Sequence, residues 1–206
     1  VIETLRLFVA LAIPREVKET LAALRGELEP GLPALRWVRP EGIHLTLAFL
    51  GEVAENRLET IRTALAGCLG ELAPMELETE GVGVFPHLRA PRVFWVGIPR
   101  PPAMLPRLQR QVEEALAGLG FQPEGRAFRP HLTIGRFRRS LRRNELGLLE
   151  TVLERDVRRP FGLIPVQRLS LFRSTLLPAG AVYEEVGGWP LSGLGGTPDE
   201  VRIKPC

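Results

Sequence analysis

The chain has 206 residues, 45% of them hydrophobic and 25% charged, with a formal net charge of +3. That length can bury a sizeable core in one domain or two small lobes, and the balance is that of a soluble globular protein, not of a disordered or fibrous one. Cys68 and Cys206 are the only cysteines and make no metal or redox spacing, so a reducing, cytoplasmic setting is expected.

The apolar stretch Leu5–Ile13 is too short for a membrane span, carries Arg6, and runs into the charged Arg15-Glu16-Val17-Lys18-Glu19. It reads as a buried first strand over Leu5–Ala12, followed by a helix that Pro14 opens and that runs to about Leu28. Pro30, Gly31 and Pro33 end that helix, and a strand follows over 43–50. Leu58, Ile61, Leu65 and Leu69 recur at three- and four-residue spacing, which predicts a helix over about Ala54–Leu69. Strands are expected at Met75–Phe85 and Arg92–Ile98, on either side of the turn-rich Pro86–Pro91. The second half repeats the order: a helix at about Ala103–Leu119, a strand at 130–137, a helix near Asn144–Arg155, and strands at Leu163–Ser174 and Ala181–Val186. An internal duplication about a pseudo-twofold axis is therefore expected, forming one domain over 1–187. From Gly187 onward the composition is that of a loop, so 188–206 reads as a Gly/Pro-rich tail.

One short phrase occurs in both halves. His44-Leu45-Thr46-Leu47-Ala48-Phe49-Leu50 returns as His131-Leu132-Thr133-Ile134-Gly135-Arg136-Phe137, and these two histidines are two of only three in the chain. On a strand, residues i and i+2 share a face. Each copy therefore sets an imidazole beside a threonine hydroxyl, while Leu45 and Leu47, or Leu132 and Ile134, turn into a core. A single His-x-Thr on a strand is commonly structural; two in the same frame point to one shared cleft. Imidazole titrates near neutrality, so one ring can act as base and the other as acid, with the hydroxyls stabilising developing negative charge. A phosphodiester suits that set. The cations are nearly all arginine, a planar partner for phosphate, and Arg136, Arg138, Arg139, Arg142 and Arg143 cluster after the second copy.

Other chemistries find less support. Neither motif contains Asp or Glu, too few ligands for a hydrolytic metal site even if His87 were recruited, so no metal and no cofactor are expected. There is no Gly-x-Ser-x-Gly, no phosphate-binding loop ending in Gly-Lys, and Cys68 lies on a helical pattern away from either histidine. Gly81-x-Gly83 reads as a strand kink. Trp37, Trp95 and Phe49 are candidates for base stacking or for core packing.

The two motifs resemble those of the two-histidine (2H) phosphoesterase superfamily, and especially the RNA 2′,3′-cyclic phosphodiesterases, also called 2′-5′ RNA ligases. Leu5-Arg6-Leu7-Phe8-Val9-Ala10 and Phe85-Pro86 leading to Pro91-Arg92-Val93-Phe94-Trp95-Val96-Gly97 extend the likeness. The resemblance implies an α+β, bilobal, duplicated fold with two antiparallel sheets facing a central cleft and helices outside. It implies metal-independent opening of a 2′,3′-cyclic phosphate at RNA ends or small cyclic nucleotides to a 2′-phosphomonoester, with His131 as proton acceptor and His44 as proton donor. Thr46 and Thr133 would hold the phosphate, and Phe49 and Arg136 would contact base and phosphate or ribose. Plain alternation puts those last two on the far face, so a bulge or strand end near Ala48 and Gly135 is required. The reverse reaction would join a cyclic phosphate to a 5′-hydroxyl without ATP. A monomer is expected. A different phosphodiesterase of the superfamily, a non-catalytic nucleotide- or RNA-binding module, and a purely structural duplicated domain stay open at this point.

Overall fold

Strand β1 (Thr4–Ala12) is apolar at almost every position, and the structure explains why: it lies inside a sheet and is buried on both faces. The structure, a computed structural model, describes residues 3–70, 72–177 and 180–192. Along the chain β1 is followed by α1 (Arg15–Leu28), β2 (Leu35–Trp37), β3 (His44–Ala54), α2 (Leu58–Cys68), β4 (Met75–Glu80), β5 (Val82–Phe85) and β6 (Val93–Gly97). Then come α3 (Met104–Ala117), β7 (His131–Phe137), α4 (Arg143–Arg155), β8 (Pro160–Val166), β9 (Arg168–Leu177) and β10 (Gly180–Pro190). One four-stranded sheet has the order β10-β9-β1-β3, the other β2-β7-β6-β5, and β4 and β8 form a separate two-stranded ribbon. All pairings are antiparallel.

The expected duplication is visible in the pairing, with a twist the periodicity did not carry. β3 pairs with β1 as β7 pairs with β6, so β6, expected to close the first half, opens the second repeat; the outer strand of each three is then exchanged, β9 of the second repeat completing the sheet of β1 and β5 of the first completing that of β6. The two halves are therefore interlocked, and a single apolar core runs through both. Helices supply its outer layer through Val17, Leu21, Leu24 and Leu28 on α1, Ile61 and Leu65 on α2, Leu105, Leu108, Val112 and Leu116 on α3, and Leu149 and Val152 on α4.

Three expectations need correction. The strand expected over Met75–Phe85 is two strands, because Gly81 takes a positive φ of 76° and a side chain there would meet the Val157 carbonyl at 2.5 Å. The strand expected over Leu163–Ser174 is likewise two, β8 and β9. The boundary at 187 cuts through β10: Gly187–Pro190 pair with Arg168–Leu171, and Trp189 and Leu191 are buried. The glycines that give this stretch its loop composition make room instead, Gly187 for the Trp189 ring and Gly188 for the Arg168–Glu185 ion pair. The rest of the expected tail, 193–206, lies outside the described residues.

The core side of the histidine strands has a measurable consequence. Leu132 is fully buried, so Leu132→Ala should cost about 2–5 kcal/mol in urea denaturation. Leu163→Ala, at a leucine 49% exposed on β8, should stay within about 0.5 kcal/mol.

Candidate active site

Both histidine strands carry the same fault in the same place. On β3 the pairing with β1 slips between Ala48 and Thr46, leaving Leu47 as an extra residue, and on β7 the pairing with β6 slips between Gly135 and Thr133, leaving Ile134 extra. Each is a β-bulge, and each turns two successive residues inward: Leu47 and Ala48 in one, Ile134 and Gly135 in the other. On β7 the second residue has to be small. A side chain at Gly135 would come to 2.8 Å from Leu35. Past the bulge the alternation is inverted, so Phe49 and Arg136 emerge on the same face as His44-Thr46 and His131-Thr133. Phe49 pairs with Phe8, which packs on His44, and is 52% exposed. Of the aromatic candidates, Trp37 packs against Phe94, while Trp95 packs on Phe85 at 5.2 Å with His131 6.5 Å away.

Each imidazole is held from behind by the carbonyl two residues earlier. His131 Nδ1 lies 2.7 Å from the Arg129 oxygen, and His44 bonds the Gly42 carbonyl. When Nδ1–H donates in this way, Nε2 is left with its lone pair free to take a proton. Around these bonds each ring rests in an aromatic bed. Phe8 stacks on His44 at 4.5 Å, with Tyr183 edge-on at 5.2 Å and Phe172 at 6.5 Å. Phe85 meets His131 edge-on at 5.0 Å, with Trp95 at 6.5 Å. Burial among these rings pushes the His44 pKa down to about 4, against the Gly42 hydrogen bond and with help from the charges of Lys18 and Arg136. His131 is lowered for the same first reason, the Arg129 bond opposing it, Arg136 adding to it and Glu124 offsetting it in part.

The charge of Arg136 opposes a further proton on both imidazoles and on the Tyr183 phenol. Arg136 has no carboxylate partner among the described residues, and neither Thr46 nor Thr133 gives its hydroxyl a hydrogen bond within them. An unpaired cation and two hydroxyls without a protein partner are groups that can receive an anion, and imidazoles lowered toward their neutral form can accept a proton. The rest of the arginine cluster divides: Arg139 is clamped by both oxygens of buried Glu145, at 2.8 and 2.7 Å, and serves the start of α4, while Arg138, Arg142 and Arg143 face solvent. Glu145, held also by the Arg142 backbone N–H, has its pKa lowered to about 2. No group of three His, Cys, Asp or Glu side chains able to hold a metal ion occurs among the described residues, and His87 is exposed on its turn. Burial raises the Cys68 thiol to about 11.

A model of the LigT like Phosphoesterase family matches this chain twice, over residues 11–95 and again over 96–183. The chain belongs to that family. The resemblance read from the two motifs is thereby borne out, and the double match follows the internal duplication. A relative from Methanothermobacter thermautotrophicus named RNA 2′,3′-cyclic phosphodiesterase is 33% identical over 181 residues, 88% of this chain and 96% of the relative. One from Archaeoglobus fulgidus with the same name is 34% identical over 182 residues, 88% and 98% of the two chains. Among solved structures, TT0787 of Thermus thermophilus superposes with a TM-score of 0.75 at 27% identity, covering 90% of this chain and 97% of that one. Escherichia coli LigT complexed with 3′-AMP gives 0.73 at 28% identity, covering 92% and 99%. The α+β fold with its antiparallel sheets is that of the LigT phosphoesterases.

Phe8, Phe172 and Tyr183 at His44, and Phe85 at His131, were not placed at the site by the sequence reading. Their signal is cross-strand pairing, which a single sequence does not print. The lowered His44 pKa gives a stability test. The folded protein binds this proton less readily than the unfolded chain, whose imidazole titrates near 6.5. Stability from neutral His44 is thus complete above about pH 6.5 and is lost as pH falls toward 4, by roughly 3 kcal/mol. Urea melts at pH 7 and pH 4.5 should show a clearly smaller acid loss in His44→Gln than in the unsubstituted protein. An equal loss in both would mean that ring burial is not its source.

Proposed function

We propose that the protein hydrolyses 2′,3′-cyclic phosphodiesters at RNA ends or on small nucleotides to 2′-phosphomonoesters. The observation that carries this reading is the pair of bulges, past which Phe49 emerges beside the half-buried His44 and Thr46, and Arg136, without a carboxylate partner among the described residues, beside the half-buried His131 and Thr133. The names of the relatives supply the substrate class. The phosphate sits against Arg136 with Thr46 and Thr133 donating to its non-bridging oxygens. Phe49, exposed beyond the bulge, receives the base. His131, whose lowered pKa favours the neutral ring, takes a proton from water as that water attacks phosphorus, and His44 gives a proton to the departing 3′-oxygen. His44 must first acquire that proton. The phosphodiester supplies the means, since its negative charge offsets Arg136 and raises the imidazole pKa, so a proton is taken up with the substrate. Microscopic reversibility allows the same groups to form a 2′-5′ linkage from a cyclic phosphate and a 5′-hydroxyl without ATP.

One observation favours exchanging the two roles. Arg136 discourages a proton on both rings, but Lys18 adds to that at His44, whereas Glu124 offsets it in part at His131. An activated aryl phosphodiester separates the assignments, because a good leaving group needs no acid. The variant that lacks the acid retains activity on that substrate, and the variant that lacks the base does not.

The primary test is hydrolysis of an oligoribonucleotide ending in a 2′,3′-cyclic phosphate, in excess EDTA, with the 2′- and 3′-phosphate products resolved. Turnover to the 2′-phosphate is expected, falling by about 10²–10⁴ in each of His44→Ala and His131→Ala. Absence of turnover, or turnover that survives either substitution, would remove the two-histidine reading and leave a nucleotide-binding module.

A further inference from the structure

The two halves of the site are near copies, yet one group breaks the symmetry. Tyr183, the only tyrosine of the chain, stands on β10, the strand of the first sheet that has no counterpart in the second. At His131 the edge-on ring is Phe85, which has no hydroxyl; at His44 it is Tyr183, which has one.

The ring is fixed from three sides. It meets His44 edge-on at 5.2 Å and 81°, and Phe8 edge-on at 5.2 Å and 83°. It also covers Gly42, where an added Cβ would come to 3.1 Å from Tyr183 Cε2. Gly42 is the residue whose carbonyl holds His44. A phenol so confined has its hydroxyl position set by packing, with little rotamer freedom left to lose on binding a ligand. That hydroxyl has no hydrogen-bond partner among the described residues, although the side chain is half-buried. A half-buried hydroxyl held rigidly without a protein partner is open to water, and a ligand oxygen arriving beside His44 can take the place of that water. The ligand it suits is negatively charged, since both Arg136 and Arg6 act on this phenol.

We propose that the Tyr183 hydroxyl is a substrate hydrogen-bond donor, binding a non-bridging phosphate oxygen on the His44 side of the cleft. It makes a third neutral donor beside Thr46 and Thr133, and it exists in one half-site only. The phosphate is then gripped asymmetrically and presented to the two histidines in one orientation. This inference rests on the anion site at Arg136 and extends the proposed reaction by one residue.

Tyr183→Phe tests it, because the ring and its packing stay and only the hydroxyl is lost. The expected result is an unchanged thermal midpoint, with kcat/KM for the cyclic-phosphate substrate lowered roughly tenfold, the scale of one hydrogen bond to a charged group. The dissociation constant of inorganic phosphate, followed by calorimetry or by 31P resonance, should rise by a similar factor. Phosphate affinity equal to that of the unsubstituted protein overturns the proposal, whatever happens to turnover. If neither protein hydrolyses the cyclic phosphate while Tyr183→Phe still weakens phosphate binding, the proposed reaction fails and the Tyr183 contact stands.

Discussion

The site depends on a single backbone irregularity used twice. A regular strand can offer one face to the cleft with every second residue, which would give His44, Thr46 and Ala48, or His131, Thr133 and Gly135. The extra residue at Leu47 and at Ile134 inverts the alternation, so the fifth residue after each histidine joins the cleft. Without it Arg136 would lie on the core side, where an unpaired guanidinium is costly, and the cleft would lack its cation. The small residue at Gly135 follows from this, since a side chain at that second inward position would run into Leu35. The bulge therefore links local sequence, core packing and charge placement.

The exchange of β5 and β9 between the sheets has a related effect. Phe172 on β9 belongs to the second half of the chain but packs on Phe8 beside His44, while Phe85 on β5 belongs to the first half but packs on His131. Each histidine is thus seated on rings from both halves. Neither half could form its own site alone, and the interlocked core holds the two histidine strands in one arrangement, as positional accuracy in such a site requires.

Much of this was legible in the sequence because it is local. The helices are written in the three- and four-residue recurrence of leucine and valine, and the inward set Leu45, Leu47, Leu132 and Ile134 in strict alternation; all four are buried. Even the bulges were demanded by a conflict between alternation and the expected place of Phe49 and Arg136. What stayed hidden is non-local. The short β2, the break at Gly81, the exchange of β5 and β9, and the continuation of β10 through two glycines depend on which strand lies alongside. Gly187 and Gly188 have the composition of a loop, and only the neighbouring Trp189 ring and the Arg168–Glu185 pair give them their actual role. Tyr183 was missed for the same reason, as nothing within β10 relates it to His44.

Desolvation decides the resting chemistry of the cleft. Each imidazole has a carbonyl acceptor that favours its protonated form, yet each is lowered, because removing the ring from water outweighs that bond and Arg136 opposes a second positive charge nearby. On the proposed reading, one fixed cation and two neutral bases would attract an anion without spending either base on the attraction. The arriving charge then changes the balance that kept the rings neutral. Acid and base need not be prepared in advance by two unlike environments, which a gene duplication does not readily supply. They can be made unlike by a substrate that binds in one orientation. What the protein must provide is a reason for that orientation, and the features that distinguish the half-sites are Lys18 against Glu124, Phe49 against Arg136, and a phenol against a phenyl ring.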